Sequence, residues 1–248
     1  MAHSDVAVII PSRIGSTRLP SKALAMIGNK TMIEHVIERL CVPLKVGLYV
    51  ATDHDDIAAV AAKAGAVAIM TDPECPTGSD RVFEAYQKLP NKEKINYIIN
   101  VQGDMPFIKH DAVADIISLL KQDQHDIVTS CVPVGEDVAK IESNVKVVVD
   151  KNNNALYFSR SLIPHGAKDF LYHMGIYGFT VKALKQFIDL KQSNYEKCEK
   201  LEQLRALENG MKIGICISNE IPISVDTPED LKKAAMYYDS QYNKITRL

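Results

Sequence analysis

The sequence predicts an α/β fold: a mainly parallel sheet flanked by helices, with a smaller mixed α/β lobe set into it. Three observations carry this. Short apolar runs alternate with helical patterns of about ten residues, which is the signature of βαβ units. The rhythm breaks after about residue 132 and returns near residue 210. The chain has 248 residues, 46% of them hydrophobic and 24% charged, enough to bury a full core without disulfide staples and unlike a disordered chain.

Val6–Ile10 is a short, wholly apolar run and reads as a buried strand. Thr31–Leu40 reads as a helix, with Met32, Ile33, Val36, Ile37 and Leu40 on one face and Glu34, His35, Glu38 and Arg39 on the other. Val46–Val50 is the next strand. Asp53–Ala64 is an Ala-rich helix capped by Thr52 or Asp53 and ended by Gly65. Ala66–Met70 is a third strand, Ser79–Leu89 a helix capped by Ser79 or Asp80, and Tyr97–Val101 a fourth strand. A helix over about 111–122 leads into the strand Ile127–Val132.

Beyond that point Val145–Val149 and Ala155–Phe158 flank the polar turn Asp150–Asn154 and read as a hairpin. His173–Thr180 is a further β-rich run, and Tyr195–Asn209 reads as one helix closed by Gly210. Ile213–Ile217 and Thr227–Ser240 return to the strand-then-helix style, with Thr227, Pro228 and Asp230 forming a capping box. The division expected is one domain. Its larger lobe covers about 1–132 and 210–248, and its smaller lobe about 133–209.

Lys plus Arg number 29 and Asp plus Glu 31, a net charge of −2, so the basic excess of a nucleic-acid binder is missing. The five cysteines, at 41, 75, 131, 198 and 216, are odd in number and lack C-x-x-C spacing. Reduced, buried thiols are expected, not a disulfide framework or a zinc site. The apolar run after the N-terminus is too short for a signal segment or a membrane span, so a cytoplasmic protein without membrane insertion is expected. His3, His54, His110, His125 and His165 stand in polar or loop contexts, and by residue type alone His173 reads as a packed or surface histidine.

Parallel α/β sheets bind ligands beyond the carboxyl ends of their strands, so the loops after residues 10, 70 and 101 are where chemistry belongs. The first loop, Pro11 to Lys22, holds three cations, Arg13, Arg18 and Lys22, around Gly15, Ser16 and Thr17. Backbone N–H groups, hydroxyls, guanidinium forks and an ammonium suit a polyphosphate. The loop is neither a Walker A sequence nor a dinucleotide fingerprint. In the second, Pro76 and Gly78 make a turn before a helix N-terminus able to receive a base carbonyl or an anion. The third carries Asp104 just past a buried strand. Asp226 stands in a similar setting, outside its capping box. If both strand ends line one crevice, the two carboxylates form a hard oxygen site suited to Mg²⁺ with substrate phosphates.

Eight stretches, taken in order, give the chain a resemblance to a known family. They are Ile10–Arg13 with Ser16–Pro20 and Lys22, Val50–Asp53, Pro76–Arg81, Asn100–Asp104, Leu156–Arg160, His173–Tyr177, Leu201–Gly210 and Val225–Leu231. Together they resemble the 3-deoxy-manno-octulosonate cytidylyltransferases. The resemblance implies a Rossmann-like sheet of the nucleotidyltransferase type. It implies transfer of CMP from CTP to the anomeric hydroxyl of 3-deoxy-D-manno-octulosonate (Kdo), with release of pyrophosphate, dependence on Mg²⁺ and a place in lipopolysaccharide core biosynthesis. It also implies a homodimer paired through the smaller lobe.

Residue roles follow from the matching motifs. Arg13 and Lys22 would hold the CTP phosphates, with Ser16 and Pro11 nearby, and Gly78, Ser79 and Arg81 would line the cytidine pocket. Gln102 would lie between nucleotide and sugar. Asp104 and Asp226 would bind Mg²⁺, and with Arg13 and Lys22 form the catalytic set. Arg160, His173, Tyr177, Glu202 and Gln203 would face the sugar, with Arg160 gripping its carboxylate and Arg205 on the outer or dimer face of its helix.

The chain departs from the family pattern at three places. Ser21 and Ala23 replace Gly and Pro beside the loop lysine, Met105 replaces a Glu, and Ser161 and Leu162 replace Ala and Pro. The competing readings are a cytidylyltransferase for 8-amino-Kdo or sialic acid and a nucleotide-binding regulator without catalysis.

Overall fold

The structure is a computed structural model and describes residues 5–44 and 46–245. His3 lies outside the described residues. The chain forms two compact units, each α/β. The first runs from the N-terminus to Lys92 and adds Asn100–His110 and the segment from Pro222 onward. The second comprises Glu93–Ile99 and Asp111–Ile221.

The first unit begins with β1 (Val6–Ser12), followed by a single 3-10 turn at Lys22–Leu24 and the small hairpin β2 (Met26–Ile27) and β3 (Lys30–Thr31). Then come α1 (Met32–Leu44), β4 (Gly47–Thr52), α2 (Asp55–Lys63), β5 (Val67–Met70) and α3 (Gly78–Gln87). β4 pairs in parallel with β1 and with β5, placing Thr52 opposite Ser12 at the carboxyl ends. Val6 to Ile10 are all buried, as the unbroken apolar run requires.

The chain passes from the first unit into the second and back through β6 (Tyr97–Asn100) and α4 (His110–Leu120). In the second unit β7 (Ile127–Gly135) is followed by α5 (Glu136–Ala139), β8 (Lys146–Val149), β9 (Ala155–Ser159) and β10 (Asp169–Thr180). Then come α6 (Val181–Asp189), α7 (Asn194–Glu199), α8 (Gln203–Glu208) and β11 (Ile213–Ile217). β7 pairs antiparallel with β10 and parallel with β11. The hairpin β8–β9 forms as expected and adds to β10. Residues 127–132 and 213–217 lie in the second unit, although the sequence reading groups both stretches with the larger lobe. The last helix, α9 (Pro228–Ile245), belongs to the first unit. Among the described residues no helix is long and apolar enough to cross a membrane.

The α/β class and its parallel strands match expectation, and several local readings are corrected. α2 is capped by His54, whose Nδ1 accepts from Asp56 N at 3.2 Å, and neither Thr52 nor Asp53 serves. α3 is capped by Thr77, whose Oγ1 accepts from Asp80 N at 3.2 Å, so Ser79 and Asp80 are already inside the helix. The single helix expected over 195–209 is broken: Lys200 takes left-handed geometry (φ 54°) and separates α7 from α8. α6 had no counterpart in the sequence reading. His35 is buried, not solvated, with its Nε2 2.8 Å from Ile27 O and its ring against Phe107 and Tyr238. All five cysteines are free, but only Cys131 is buried, while Cys198 is exposed. Arg205 is not on an outer face. It is buried against Glu196, with Nη2 2.6 Å from Oε1 and Nε 2.9 Å from Oε2. The capping box at Thr227 and Asp230 forms as read, and Gly65 (φ 98°) and Gly210 (φ 75°) close their helices.

Candidate functional site

The three loops singled out in the sequence line one cavity of about 290 Å³ within the first unit. β1 delivers Pro11, Ser12, Arg13, Ser16, Thr17, Arg18, Lys22 and Ala23. The segment before and into α3 delivers Cys75 to Gly78 and Arg81. The residues after β6 deliver Gln102 to Asp104, and Asp226 enters ahead of α9. Ser79 is buried but is not among the lining residues. Gly103 is a packing requirement: a Cβ there would stand 3.2 Å from Ser12 Oγ and 3.4 Å from Pro11 O, so the backbone of the third loop lies directly against the end of β1.

Asp104 and Asp226 meet, although 122 positions separate their numbers. Val225 N donates to Asp104 O at 2.9 Å, which brings the two segments together, although Asp226 follows an irregular stretch and not the strand end that the sequence suggested. Lys22 Nζ then donates to both carboxylates, at 2.8 Å to Asp104 Oδ2 and 3.0 Å to Asp226 Oδ1. Arg18 Nη2 stands 3.2 Å from the same Asp226 oxygen. Burial works against the charge on Lys22, but Asp104 and then Asp226 outweigh it and raise its pKa above the ordinary value, so the ammonium stays protonated. The two carboxylates thus converge on one cation. Among the described residues no group of three or more His, Cys, Asp or Glu side chains is placed to hold a metal. Two hard oxygen donors beside a cavity lined by Arg13 and Arg18 nevertheless fit Mg²⁺, which takes one or two carboxylates plus phosphate oxygens and water.

On the α3 side, Arg81 is almost wholly buried, with Nη1 donating to Thr71 Oγ1 at 2.6 Å. Glu84 holds the 72–75 loop. It accepts from Asp72 N at 3.1 Å, from Cys75 Sγ at 3.0 Å and from Lys88 Nζ at 2.6 Å. Burial, and next the Glu84 carboxylate, push the Cys75 thiol up to about 12. Ser21, beside Lys22, sits at φ 52° and ψ 37°, the left-handed region where glycine is at ease, so the departure noted in the sequence falls on a position of unusual geometry. Met105 is buried in the core.

Of the residues expected to face a sugar, Gln102 lies in the first unit, and Arg160, His173, Tyr177, Glu202 and Gln203 lie in the second. His173 is buried, and its Nε2 is 2.9 Å from Thr129 Oγ1. That hydroxyl donates to Ile176 O at 2.6 Å, so its oxygen is left to accept from the Nε2–H tautomer. Burial lowers the His173 pKa to about 3, leaving a neutral imidazole. Tyr177 packs against it with ring centroids 5.4 Å apart, and burial followed by the nearby Glu202 carboxylate raises its phenol. Gln203 is buried with its Nε2 unpartnered among the described residues. Arg160 is committed to the α7 terminus: Nε donates to Glu199 O at 2.9 Å, and Nη2 to Lys200 O at 3.4 Å. The fully buried Lys146 donates to Asn144 O at 2.6 Å and also to Arg160 O.

The sequence model of the cytidylyltransferase family matches residues 7–213. A 3-deoxy-manno-octulosonate cytidylyltransferase of Rickettsia bellii (strain OSU 85-389) is 52% identical over 239 residues, covering 96% of this chain and 98% of its own. One from Rickettsia conorii is 53% identical over 240 residues, with 97% and 98% covered. The chain belongs to the 3-deoxy-manno-octulosonate cytidylyltransferase family. A solved structure of CMP:2-keto-3-deoxy-manno-octonic acid synthetase complexed with CTP superposes with TM-score 0.91 at 34% identity, covering 96% of this chain and 100% of that one. A cytidylyltransferase of Leptospira borgpetersenii, at 19% identity and TM-score 0.63, shares the fold.

In this member of the family, the sequence reading left the contacts made by Asp53, Gly103, Thr129, Lys146 and Glu84 unassigned. Asp53 and Gly103 sit inside stretches that carried the resemblance, and that was the available signal. Thr129 meets His173 across 44 positions, whereas Glu84 and Lys146 bond mainly to near neighbours in the chain whose pairing no simple motif marks.

Proposed function

We propose that the protein transfers CMP from CTP to the anomeric hydroxyl of Kdo and releases pyrophosphate. The observation that supports this most directly is the convergence of Asp104 and Asp226 on Lys22, in a cavity also lined by Arg13 and Arg18. Phosphoryl transfer rests on positioning and charge neutralisation, and this cavity offers both. Arg13, Ser16 and Lys22 hold the triphosphate beside Pro11, and Gly78 and Arg81 bound the cytidine side, with Ser79 in the helix turn behind. Gln102 stands at the end of the nucleotide loops. Asp104 and Asp226 hold Mg²⁺, which when bound supplies charge neutralisation on the phosphates.

The sugar set is Arg160, His173, Tyr177, Glu202 and Gln203. Because the His173 imidazole is neutral, it serves by shape and hydrogen bonding and not as a cation. Arg160 has already committed Nε and Nη2 to carbonyls, which leaves Nη1 for an anion. The protein works in the cytoplasm as a homodimer, and its product feeds lipopolysaccharide core assembly.

The test is pyrophosphate release by purified protein with CTP and Mg²⁺, comparing Kdo, its 8-amino analogue and sialic acid. Release with Kdo at a kcat/KM at least tenfold above the others, and abolished by chelation of divalent cations, is expected. Faster release with either rival sugar overturns the Kdo assignment, and release that survives chelation overturns the cation.

A further inference from the structure

Asp53 ends one of the resemblance stretches and has no role in the reading so far. It follows β4, its side chain is 6% exposed, and it is not among the residues lining the cavity. The cap it was expected to provide for α2 belongs to His54. Its two oxygens reach different walls of the nucleotide cavity instead. Oδ1 accepts from Ile14 N at 2.9 Å, in the middle of the loop that carries Arg13 and Ser16. Oδ2 stands 3.4 Å from Arg81 Nη2, an ion pair with a side chain 3% exposed on the α3 side. Ile14 O in turn accepts from Ser16 N at 3.0 Å, so the contact fixes the loop turn as well as one amide.

We propose that Asp53 is a positioning residue that sets the spacing between the phosphate loop and the α3 wall of the pocket. This rests on the reading of the cavity as a CTP site. A ligand with two recognised ends gains from both only when the two sets of contacts stand at the right separation. Asp53 holds that separation without touching the ligand. Asp53→Asn keeps an oxygen for Ile14 N but takes the negative charge away from buried Arg81 and can turn an NH₂ toward it. Asp53→Ala removes both ties.

The experiment compares wild type, Asp53→Asn and Asp53→Ala. It measures KM for CTP and for Kdo, kcat per folded molecule, the nucleotide-free Tm, and calorimetric binding of CTP, CMP and tripolyphosphate. KM for CTP is expected to rise about tenfold in the Asn variant and further in the Ala variant, with KM for Kdo unchanged and kcat within about threefold. Binding of CTP should weaken more than binding of CMP or tripolyphosphate, because only CTP needs both walls in register. A residue that merely supported the fold would lower Tm and the folded fraction but leave the KM of the surviving molecules alone. Wild-type CTP affinity in both variants, or equal weakening for CTP and the two fragments, overturns the proposal while the CTP reading stands. If wild type neither binds nor turns over CTP, that reading falls and the proposal with it.

Discussion

Acidification is expected to destabilise the second unit through His173. The folded pKa is lowered to about 3, whereas an unfolded imidazole titrates near 6.5. The sign follows from proton binding. Between those values the unfolded chain holds a proton that the folded chain excludes, so stability is present above about pH 6.5 and is lost as pH falls toward 3. At about pH 5 the unfolded imidazole is roughly thirtyfold protonated and the folded one is not, which removes about 2 kcal/mol. The structural reason is plain: the ring is buried between Phe158 and Tyr177, with centroids 4.9 and 5.4 Å away, and its one hydrogen-bond donor already meets Thr129.

The assay is urea unfolding at about pH 8 and about pH 5, for wild type and His173→Gln. The variant loses the Thr129 contact and some packing at both pH values, roughly 1–3 kcal/mol. It has nothing to titrate at this position. Its pH-dependent loss should therefore be smaller than wild type's by about 2 kcal/mol, with the other histidines cancelling in the comparison. Equal pH-dependent losses in the two proteins would refute the reasoning. So would a His173 imidazole observed by NMR to titrate near 6.5 in the folded state.

Two further outcomes follow from the first unit. Ser21→Gly relieves a left-handed residue worth roughly 1–2 kcal/mol, partly offset by the roughly 0.5–1 kcal/mol entropy of glycine, so the Lys22 turn should gain about 0.5–1 kcal/mol. Amide hydrogen exchange over residues 21–25 should slow accordingly, and unchanged exchange would count against the strain. Cys75, held near pKa 12, should carry a roughly thousandfold smaller thiolate fraction than an ordinary thiol at neutral pH. Peptide-resolved alkylation should leave Cys75 almost unmodified while exposed Cys198 reacts, and Glu84→Gln should speed it; equal rates at 75 and 198 in wild type would exclude the Glu84 effect.

The sheet was legible because its signals are local. Val6 to Ile10 are apolar without a break, and a run of that length between turn residues allows little but a buried strand. The capping box at Thr227 and Asp230 is equally local and forms as read. The errors occur where local signals compete. Thr52, Asp53 and His54 can all cap a helix, and the choice falls on His54 because Asp53 is drawn away to Ile14 and Arg81. The pattern from Tyr195 to Asn209 suits one helix, yet the break at Lys200 presents carbonyls to Arg160, a contact across forty positions. His35 sits on a polar helix face by pattern, and it is buried only because Phe107 and Tyr238 pack over it from remote parts of the chain.

The phosphate loop shows most clearly what distance in sequence conceals. By residue type Arg13, Arg18 and Lys22 are three equivalent cations within ten positions, and only the resemblance sets Arg13 and Lys22 apart. Their partners rank them. Lys22 is neutralised by Asp104 and Asp226, which lie 82 and 204 positions away, and Arg18 shares Asp226 from an exposed position. Arg13 is exposed at the cavity and makes no hydrogen bond or ion pair with the described residues. The two carboxylates would repel a triphosphate, and Lys22 on both and Arg18 on Asp226 offset their charge. On the proposed function, Arg13, with its guanidinium fork unengaged, would meet a phosphate first. That division of labour follows from which acids reach the loop, and it is set by the fold that brings Val225 N to Asp104 O.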